Sequence, residues 1–181
     1  MTNPNPSPRR DLDAFDTVVS TYEGPLLRYV SRIVLDWDAA QDVVQNTFLR
    51  LFKRWKEELS PSPQLSSWLY RVAHNCAVDY LRRETRKTNL HQEHARETPA
   101  YMPPDRGEGF RIGEAAESAA EALASLPLRE RQLVVLKIYE EKSYKEISEI
   151  TGLTVSNVGY ILHYAMKKMA AILKKNRGAK P

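Results

Sequence analysis

Apolar residues recur every three or four positions along most of this chain, and this spacing restricts what it can fold into. Val44, Phe48, Leu51 and Trp55 lie on one face if the segment is helical. No stretch alternates apolar and polar residues for long enough to predict a β-strand. The sequence therefore predicts an all-α fold.

The same periodicity predicts three helices in the first half of the chain: about 12–35, then up to about 56, and 67–87. Gly24-Pro25 should kink or briefly break the first helix, because proline lacks the N–H that the helix uses. Asp36 or Asp38 can cap the second helix, and Ser66 can cap the third. Ser60-Pro61-Ser62-Pro63 predicts an extended loop between them. Together these helices should form a small bundle.

A stretch rich in proline, glycine and polar residues separates this bundle from a second one. Thr98-Pro99, Pro103-Pro104 and Gly107-Glu108-Gly109 are typical of a flexible linker. The expected organisation is two small helical domains joined by that linker. Its segments are a disordered N-terminus over 1–11, a domain over 12–87, the linker over 88–112, a domain over 113–175 and a basic tail over 176–181.

Two further helices are predicted at the start of the second domain, over about 115–125 and from Pro127 to about 140. Proline suits the first turn of a helix, where no partner for its nitrogen is needed. The second of these helices is expected to bury four apolar side chains: Leu133, Val134, Leu136 and Ile138.

The most specific local pattern follows. Ser143 and Glu146 match a capping box, Gly152 can supply a turn with positive φ, and Thr154 can cap a last helix that reaches about Lys175. A short capped helix, a tight turn and a longer helix predict a helix-turn-helix, which places its second helix in the major groove of DNA. Its outward side chains are the predicted contacts: Ser156, Asn157, Tyr160, His163, Tyr164 and Lys167.

Basic residues are concentrated in two segments. The chain carries a formal charge of +4, but residues 61–87 alone carry +3 and residues 143–181 carry +5. Two basic segments suggest two contacts with one polyanion, although solvated helix ends would give the same pattern. The third helix also has aromatic and amide side chains off its apolar stripe that suit single-stranded bases, or that pack in the core instead. The set is Trp68, Tyr70, His74, Asn75, Asp79, Arg82, Arg83, Arg86 and Lys87.

Several classes of protein are not expected. The single cysteine, Cys76, excludes an intramolecular disulfide and a cysteine-based zinc site, and it lies on an apolar stripe. A reducing, cytoplasmic location is the natural expectation. Neither a signal peptide nor a membrane-spanning stretch is recognisable, so no membrane insertion is expected. His91 and His94 lie in the predicted linker and lack a third ligand nearby, so we expect no metal site. No glycine-rich phosphate loop or Ser/His/Asp arrangement stands out, so we expect no cofactor, no catalytic residues and no enzyme.

Four ordered stretches carry a resemblance to a known family: Asp42–Arg50, Ser67–Asn75, Asp79–Arg83 and Leu126–Leu153. With them, residues 12–87 and 115–172 resemble the bacterial sigma-70 family of RNA polymerase sigma factors, of the small extracytoplasmic-function type. The resemblance implies a non-catalytic subunit that directs promoter-specific initiation by recognising and melting promoter DNA. The implied partners are core RNA polymerase, through its β′ and β subunits, and promoter DNA, with an anti-sigma protein as a further candidate.

The resemblance also implies roles for individual side chains. The residues that it implies for docking on core polymerase are Asp42, Gln45, Asn46 and Leu49. Those that capture a flipped base of the −10 element are Gln64, Leu65 and Ser66, in the proline-rich loop. Those that hold the melted strand are Asn75, Asp79, Arg82 and Arg83. The helix-turn-helix corresponds to the reader of the duplex −35 element.

Two features depart from the family pattern. Gln41 stands where the family usually has an acidic residue. Gly159, Tyr160, Ile161, Tyr164 and Met166 occupy a recognition helix that is usually rich in arginine and lysine. The alternative interpretation is a stand-alone helix-turn-helix regulator whose N-terminal bundle senses a ligand or dimerises. The polymerase-type helix and the aromatic third helix count against that alternative.

Overall fold

The computed structural model describes residues 8–54, 60–91 and 114–178, and within these ranges the chain is helical without strands. Most of the expected linker, the first residues of the expected N-terminal segment and the end of the basic tail lie outside the described residues. The elements are α1 (Pro8–Val34), α2 (Trp37–Arg54), α3 (Pro63–His91), α4 (Glu114–Ala124), α5 (Leu128–Val134), a π-helical turn (Val135–Tyr139), α6 (Tyr144–Thr151) and α7 (Val155–Gly178). The all-α prediction is confirmed.

Helix α1 begins earlier than expected and continues through Pro25, so of the predicted kink or short break, the break does not occur. The lost hydrogen bond at the proline is outweighed by packing on both sides of it. Val18, Leu26, Val30 and Ile33 are all fully buried and form one side of the N-terminal core. Burial of such side chains contributes about 1.5–3 kcal/mol each, which is comparable to the proline penalty for any one of them.

The starts of α2 and α3 show which polar residues cap them. Asp36 Oδ1 accepts a hydrogen bond from the Ala39 amide at 2.8 Å, so of the two predicted caps, Asp36 and Asp38, the first is the one formed. For α3 the cap is Ser62 instead of Ser66, because Ser62 Oγ accepts from the Leu65 amide at 3.2 Å. Pro63 then takes the first helical position, where its missing N–H has no intrahelical partner to lose. Residues 64–66 are therefore helical, and the extended loop predicted there is shorter.

The C-terminal unit is formed by α4 to α7 with the π-helical turn between α5 and α6. The Glu140 amide donates to the Val135 carbonyl at 3.1 Å, a bond to the fifth residue back. This wider turn changes which side chains face inward. Leu136 is fully buried as predicted, whereas Ile138 is 51% exposed, so its predicted burial is wrong.

The helix-turn-helix forms as the local sequence predicts. Ser143 and Glu146 make the reciprocal capping box, and Gly152 has a φ of 73°. The Asn157 amide donates to Thr154 Oγ1 at 3.3 Å, so Thr154 caps α7. Each of these bonds joins residues within a few positions, which is why sequence alone could predict them.

The two helical units lie against each other. Arg131 of α5 is 8% exposed and donates from Nη2 to the Ile33 carbonyl at the end of α1, at 2.8 Å. Burial lowers the pKa of that guanidinium. Arg32 lies over the Tyr139 ring with its guanidinium carbon 4.4 Å from the centroid. Through Arg131, the C-terminal unit donates a hydrogen bond to the Ile33 carbonyl, which lies in the last turn of α1, where carbonyls lack partners within the helix.

Candidate nucleic-acid interface

One face of α2 is polar and exposed while its opposite face is buried. The four residues predicted to dock on polymerase are all exposed and share one side of the helix: Asp42, Gln45, Asn46 and Leu49. Asn46 Nδ2 donates to the Asp42 carbonyl at 2.8 Å. Val44 and Phe48 lie on the buried side, at 2% and 8% exposure. The structure thus brings the predicted docking residues together.

This face extends to an exposed apolar residue, Phe52, that was not predicted from the sequence. Leu49 is 51% exposed, and Phe52, one turn further along α2, is 57% exposed. Phe52 makes an edge contact with Phe15 of α1, with ring centroids 5.5 Å apart. The spacing of three residues between Leu49 and Phe52 was the available signal. The exposed face of α2 therefore ends in an apolar patch beside its polar row.

A groove of about 480 Å³ separates α2 from α3. Its lining residues are Val43, Asn46, Arg50, Cys76, Asp79, Arg82, Arg83 and Arg86. Four guanidinium groups face one carboxylate, so the groove is strongly positive. Arginine matches the geometry of phosphate oxygens, which makes the groove suitable for a nucleic-acid backbone. The place of Arg50 in this groove was not predicted, because Arg50 belongs to the preceding helix and meets the other arginines only in three dimensions.

Asp79 orients two of the arginines, Arg82 through its carboxylate and Arg83 through its backbone carbonyl. Arg82 Nη1 lies 3.9 Å from Asp79 Oδ1, and Arg83 Nε donates to the Asp79 carbonyl at 3.3 Å. Both side chains of the Arg82 pair are more than half exposed, so the ion pair adds little to stability. Its effect is to hold the guanidinium near the groove.

Cys76 forms part of the groove floor and is 7% exposed. Burial raises the pKa of its thiol, which keeps it in the less reactive protonated form. The predicted placement of this residue in the core is confirmed.

The beginning of α3 presents its predicted base-capturing residues differently. Gln64 is exposed and Ser66 is half-buried, but Leu65 is only 8% exposed. Lys142 of the C-terminal unit lies with Nζ 3.5 Å from Ser66 Oγ. The three residues therefore do not form one open surface in this arrangement, whereas Asn75 further along α3 is exposed.

Two aromatic residues expected off the apolar stripe of α3 are buried. Tyr70 is 4% exposed and His74 is 7% exposed, while Trp68 is half-buried. His74 Nδ1 is 2.9 Å from Tyr29 Oη, and burial lowers the pKa of His74 from 6.5 to about 4. Since α3 contacts both α1 and α6, its buried surface is wider than a single stripe. Tyr70 and His74 are thus core residues and do not face single-stranded bases.

The recognition face of the helix-turn-helix is open. Val158, Leu162 and Ala165 are buried and hold α7 against its unit. The six predicted contacts are all exposed: Ser156, Asn157, Tyr160, His163, Tyr164 and Lys167. Gly159 faces the Tyr144 ring of α6, where an added Cβ would lie 3.5 Å from Cε2. That distance is an ordinary contact, so the glycine is not required by crowding.

The described residues bring together no group of three side chains able to hold a metal ion. His94 lies outside them. Among the described helices, none is both long enough and apolar enough to cross a membrane.

Comparison with known proteins assigns both helical units. Residues 18–87 match the family model for Sigma-70 region 2, and residues 109–169 match that for Sigma-70, region 4. The RNA polymerase sigma factor YlaC of Bacillus subtilis is 24% identical over 91% of this chain and 95% of its own length. The ECF RNA polymerase sigma factor SigW of the same species is 26% identical over 84% of this chain and 85% of its own.

Two solved structures share the fold of both units. The sigma factor RpoE of Bartonella quintana, solved with the anti-sigma factor NepR, superposes with a TM-score of 0.69 at 18% identity, over 88% of this chain and 96% of its own. CnrH, solved with the cytosolic domain of CnrY, gives 0.62 at 21% identity, over 91% and 90%. On the two family matches, this chain belongs to the sigma-70 family of RNA polymerase sigma factors and is of the extracytoplasmic-function type.

Proposed function

We propose that this sigma factor is a non-catalytic, cytoplasmic specificity subunit with three working surfaces. The exposed face of α2 docks on core RNA polymerase, at its β′ and β subunits. The groove between α2 and α3 holds the melted strand of the −10 element. The exposed face of α7 contacts the duplex −35 element.

The arginine-lined groove is the observation that carries this proposal. Arg50, Arg82, Arg83 and Arg86 converge on one cleft with the single carboxylate of Asp79. Each phosphate contact from such a group releases counterions, which favours binding of a polyanion. The exposed amide of Asn75, on the same helix as three of these arginines, can pair with the edge of an unstacked base.

Docking through α2 is supported by its mixed surface. Asp42 and Gln45 can form directional polar contacts, and Leu49 with Phe52 can supply an apolar centre. Protein interfaces commonly combine an apolar centre with a polar rim. The stand-alone regulator is less favoured, because a duplex-binding regulator does not need a region 2 unit.

An anti-sigma protein is a candidate regulatory partner. RpoE, which shares this fold, was solved in complex with the anti-sigma factor NepR. The proposal for this chain is limited to that class of partner.

The test is reconstitution with core polymerase and run-off transcription. Asp42→Lys combined with Gln45→Ala should weaken core binding about tenfold or more, because it removes two contacts from the proposed interface. Both side chains are exposed, so the helical content should not change. Glu117→Lys on α4, also exposed, makes the same charge change away from α2 and serves as the control. Equal binding by the α2 variant and the control would disprove the docking assignment.

The groove is tested on two templates in the same assay. Arg82→Ala should impair initiation on a fully paired promoter, and a template with a premelted −10 bubble should restore much of the loss. Lys167→Ala acts on the duplex contact instead, so the bubble should not restore its activity. If both variants respond identically to the bubble, the assignment of strand holding to α3 and of duplex contact to α7 is wrong.

A further inference from the structure

The exposed face of the recognition helix has aromatic rings in place of basic side chains. Its first twelve residues, Val155–Met166, contain neither lysine nor arginine. Tyr160 is 64% exposed and Tyr164 is 46% exposed, although large aromatic side chains are usually buried. Because much of each ring is exposed to solvent, both rings are available to a ligand that binds α7.

The two rings form one preorganised surface. The centroids of Tyr160 and Tyr164 are 4.7 Å apart with an interplanar angle of 53°, as expected for side chains four residues apart on a helix. His163 meets the Tyr164 ring edge-on at 5.4 Å. Asn157 lies one turn before Tyr160 and is also exposed. A row of one amide and two rings therefore follows the helix.

The side chains of this row match the major-groove edges of some base pairs better than those of others. Guanine presents two acceptors, N7 and O6, which are matched by the paired donors of arginine or by lysine. Adenine presents an acceptor and a donor, which an asparagine amide matches, and thymine presents a methyl group for apolar contact. The reading face of α7 has an amide and apolar rings, but no guanidinium or ammonium group before Lys167.

We propose that α7 selects A·T pairs in the −35 element, with Asn157 reading adenine and the rings of Tyr160 and Tyr164 contacting thymine methyl groups. This inference rests on the proposed role of α7 as the reader of that element. It adds the class of base pair that the reader prefers.

Phosphate attraction is placed beside this face instead of on it. Lys167 and Lys168 follow the aromatic row directly. Lys168 Nζ is 2.5 Å from Glu130 Oε1 of α5, which directs that ammonium toward the body of the unit. Lys167 is exposed and one helical turn beyond Tyr164 and His163. Backbone anchoring and base reading are thus assigned to different parts of α7.

The experiment uses holoenzyme and a promoter library randomised across the −35 element. Selected sequences should be rich in A·T pairs. In a selected promoter, replacing each contacted thymine by deoxyuridine removes only the methyl group and should weaken binding about fourfold per methyl. Deoxyuridine placed outside both promoter elements is the matched DNA control and should have no effect.

Variants connect that methyl group to the rings. The double variant Tyr160→Ala/Tyr164→Ala should bind thymine and deoxyuridine promoters equally, while Tyr160→Phe should keep the wild-type discrimination. Circular dichroism checks that the helix is retained, and Tyr160→Phe keeps the test valid if an alanine variant misfolds. Methyl sensitivity retained in the double alanine variant would overturn the inference.

Failure of the inference and failure of the underlying function give different results. Selection of G·C pairs, with Tyr160→Ala still changing the preference, would refute A·T reading but keep α7 as the reader. Absence of any −35 preference in a holoenzyme that still initiates would refute both.

Discussion

His74 shows how one buried side chain in α3 links stability to pH. Its ring is enclosed beside Tyr29, and burial lowers its pKa from 6.5 to about 4. In the unfolded chain His74 is protonated below about pH 6.5, whereas in the folded chain it stays neutral until the pH approaches 4. The folded state therefore keeps its full stability above pH 6.5, and the free energy of unfolding decreases as the pH falls from 6.5 toward 4.

We expect the free energy of unfolding to decrease by about 2 kcal/mol between pH 7.5 and pH 5 on account of this group. Urea unfolding at both pH values measures it. His74→Gln should show a smaller decrease, because glutamine does not titrate. His163→Gln, at an exposed ring, should behave like the parent protein. An unchanged pH dependence in His74→Gln would show that the histidine is not the titrating group.

At the scale of elements, two glycines in the helix-turn-helix should respond to substitution in opposite directions. Gly152 has a φ of 73° and ends α6, with no atom within 4 Å of an added Cβ. The strain of a substitution there is therefore purely a backbone effect. Gly159 lies inside α7, where an added Cβ would make an ordinary contact with Tyr144.

We therefore expect Gly152→Ala to lower stability by about 1–2 kcal/mol and Gly159→Ala to raise it by about 0.5–1 kcal/mol. Thermal unfolding of the two variants gives the comparison, and each is the control for the other. The same sign of change in both would contradict the assignment of the turn.

For the whole molecule, several polar groups join the two units, whose buried apolar residues form one cluster. Arg131 donates to the Ile33 carbonyl of the N-terminal unit, and Tyr70 Oη donates to Glu140 of the C-terminal unit at 2.5 Å. Lys142 lies over the Tyr70 ring at 4.5 Å. Because this contact covers the beginning of α3, access of DNA to Ser66 requires Lys142 to move.

Replacing Arg131 should loosen this arrangement. Arg131→Met leaves the Ile33 carbonyl without its charged donor and should lower stability by about 1–3 kcal/mol. Small-angle scattering should give a larger radius of gyration as the units separate. Arg129→Met, at the exposed neighbouring position, should change neither quantity. A radius equal to that of the parent would show that Arg131 does not hold the units together.

Sequence by itself determined the helical class, the cap at Ser143, the turn at Gly152 and the exposed face of α7. These depend on bonds and periodicities spanning a few residues, so the local sequence contains the information. Tertiary structure alone decided that Tyr70 and His74 are buried, that Arg50 joins the α3 arginines and that Arg131 reaches Ile33. The last pair is 98 residues apart in the chain, and the Tyr70–Glu140 pair is 70 apart. Such contacts depend on how helices from both units pack, and no local pattern specifies which side of α3 a neighbouring helix will cover.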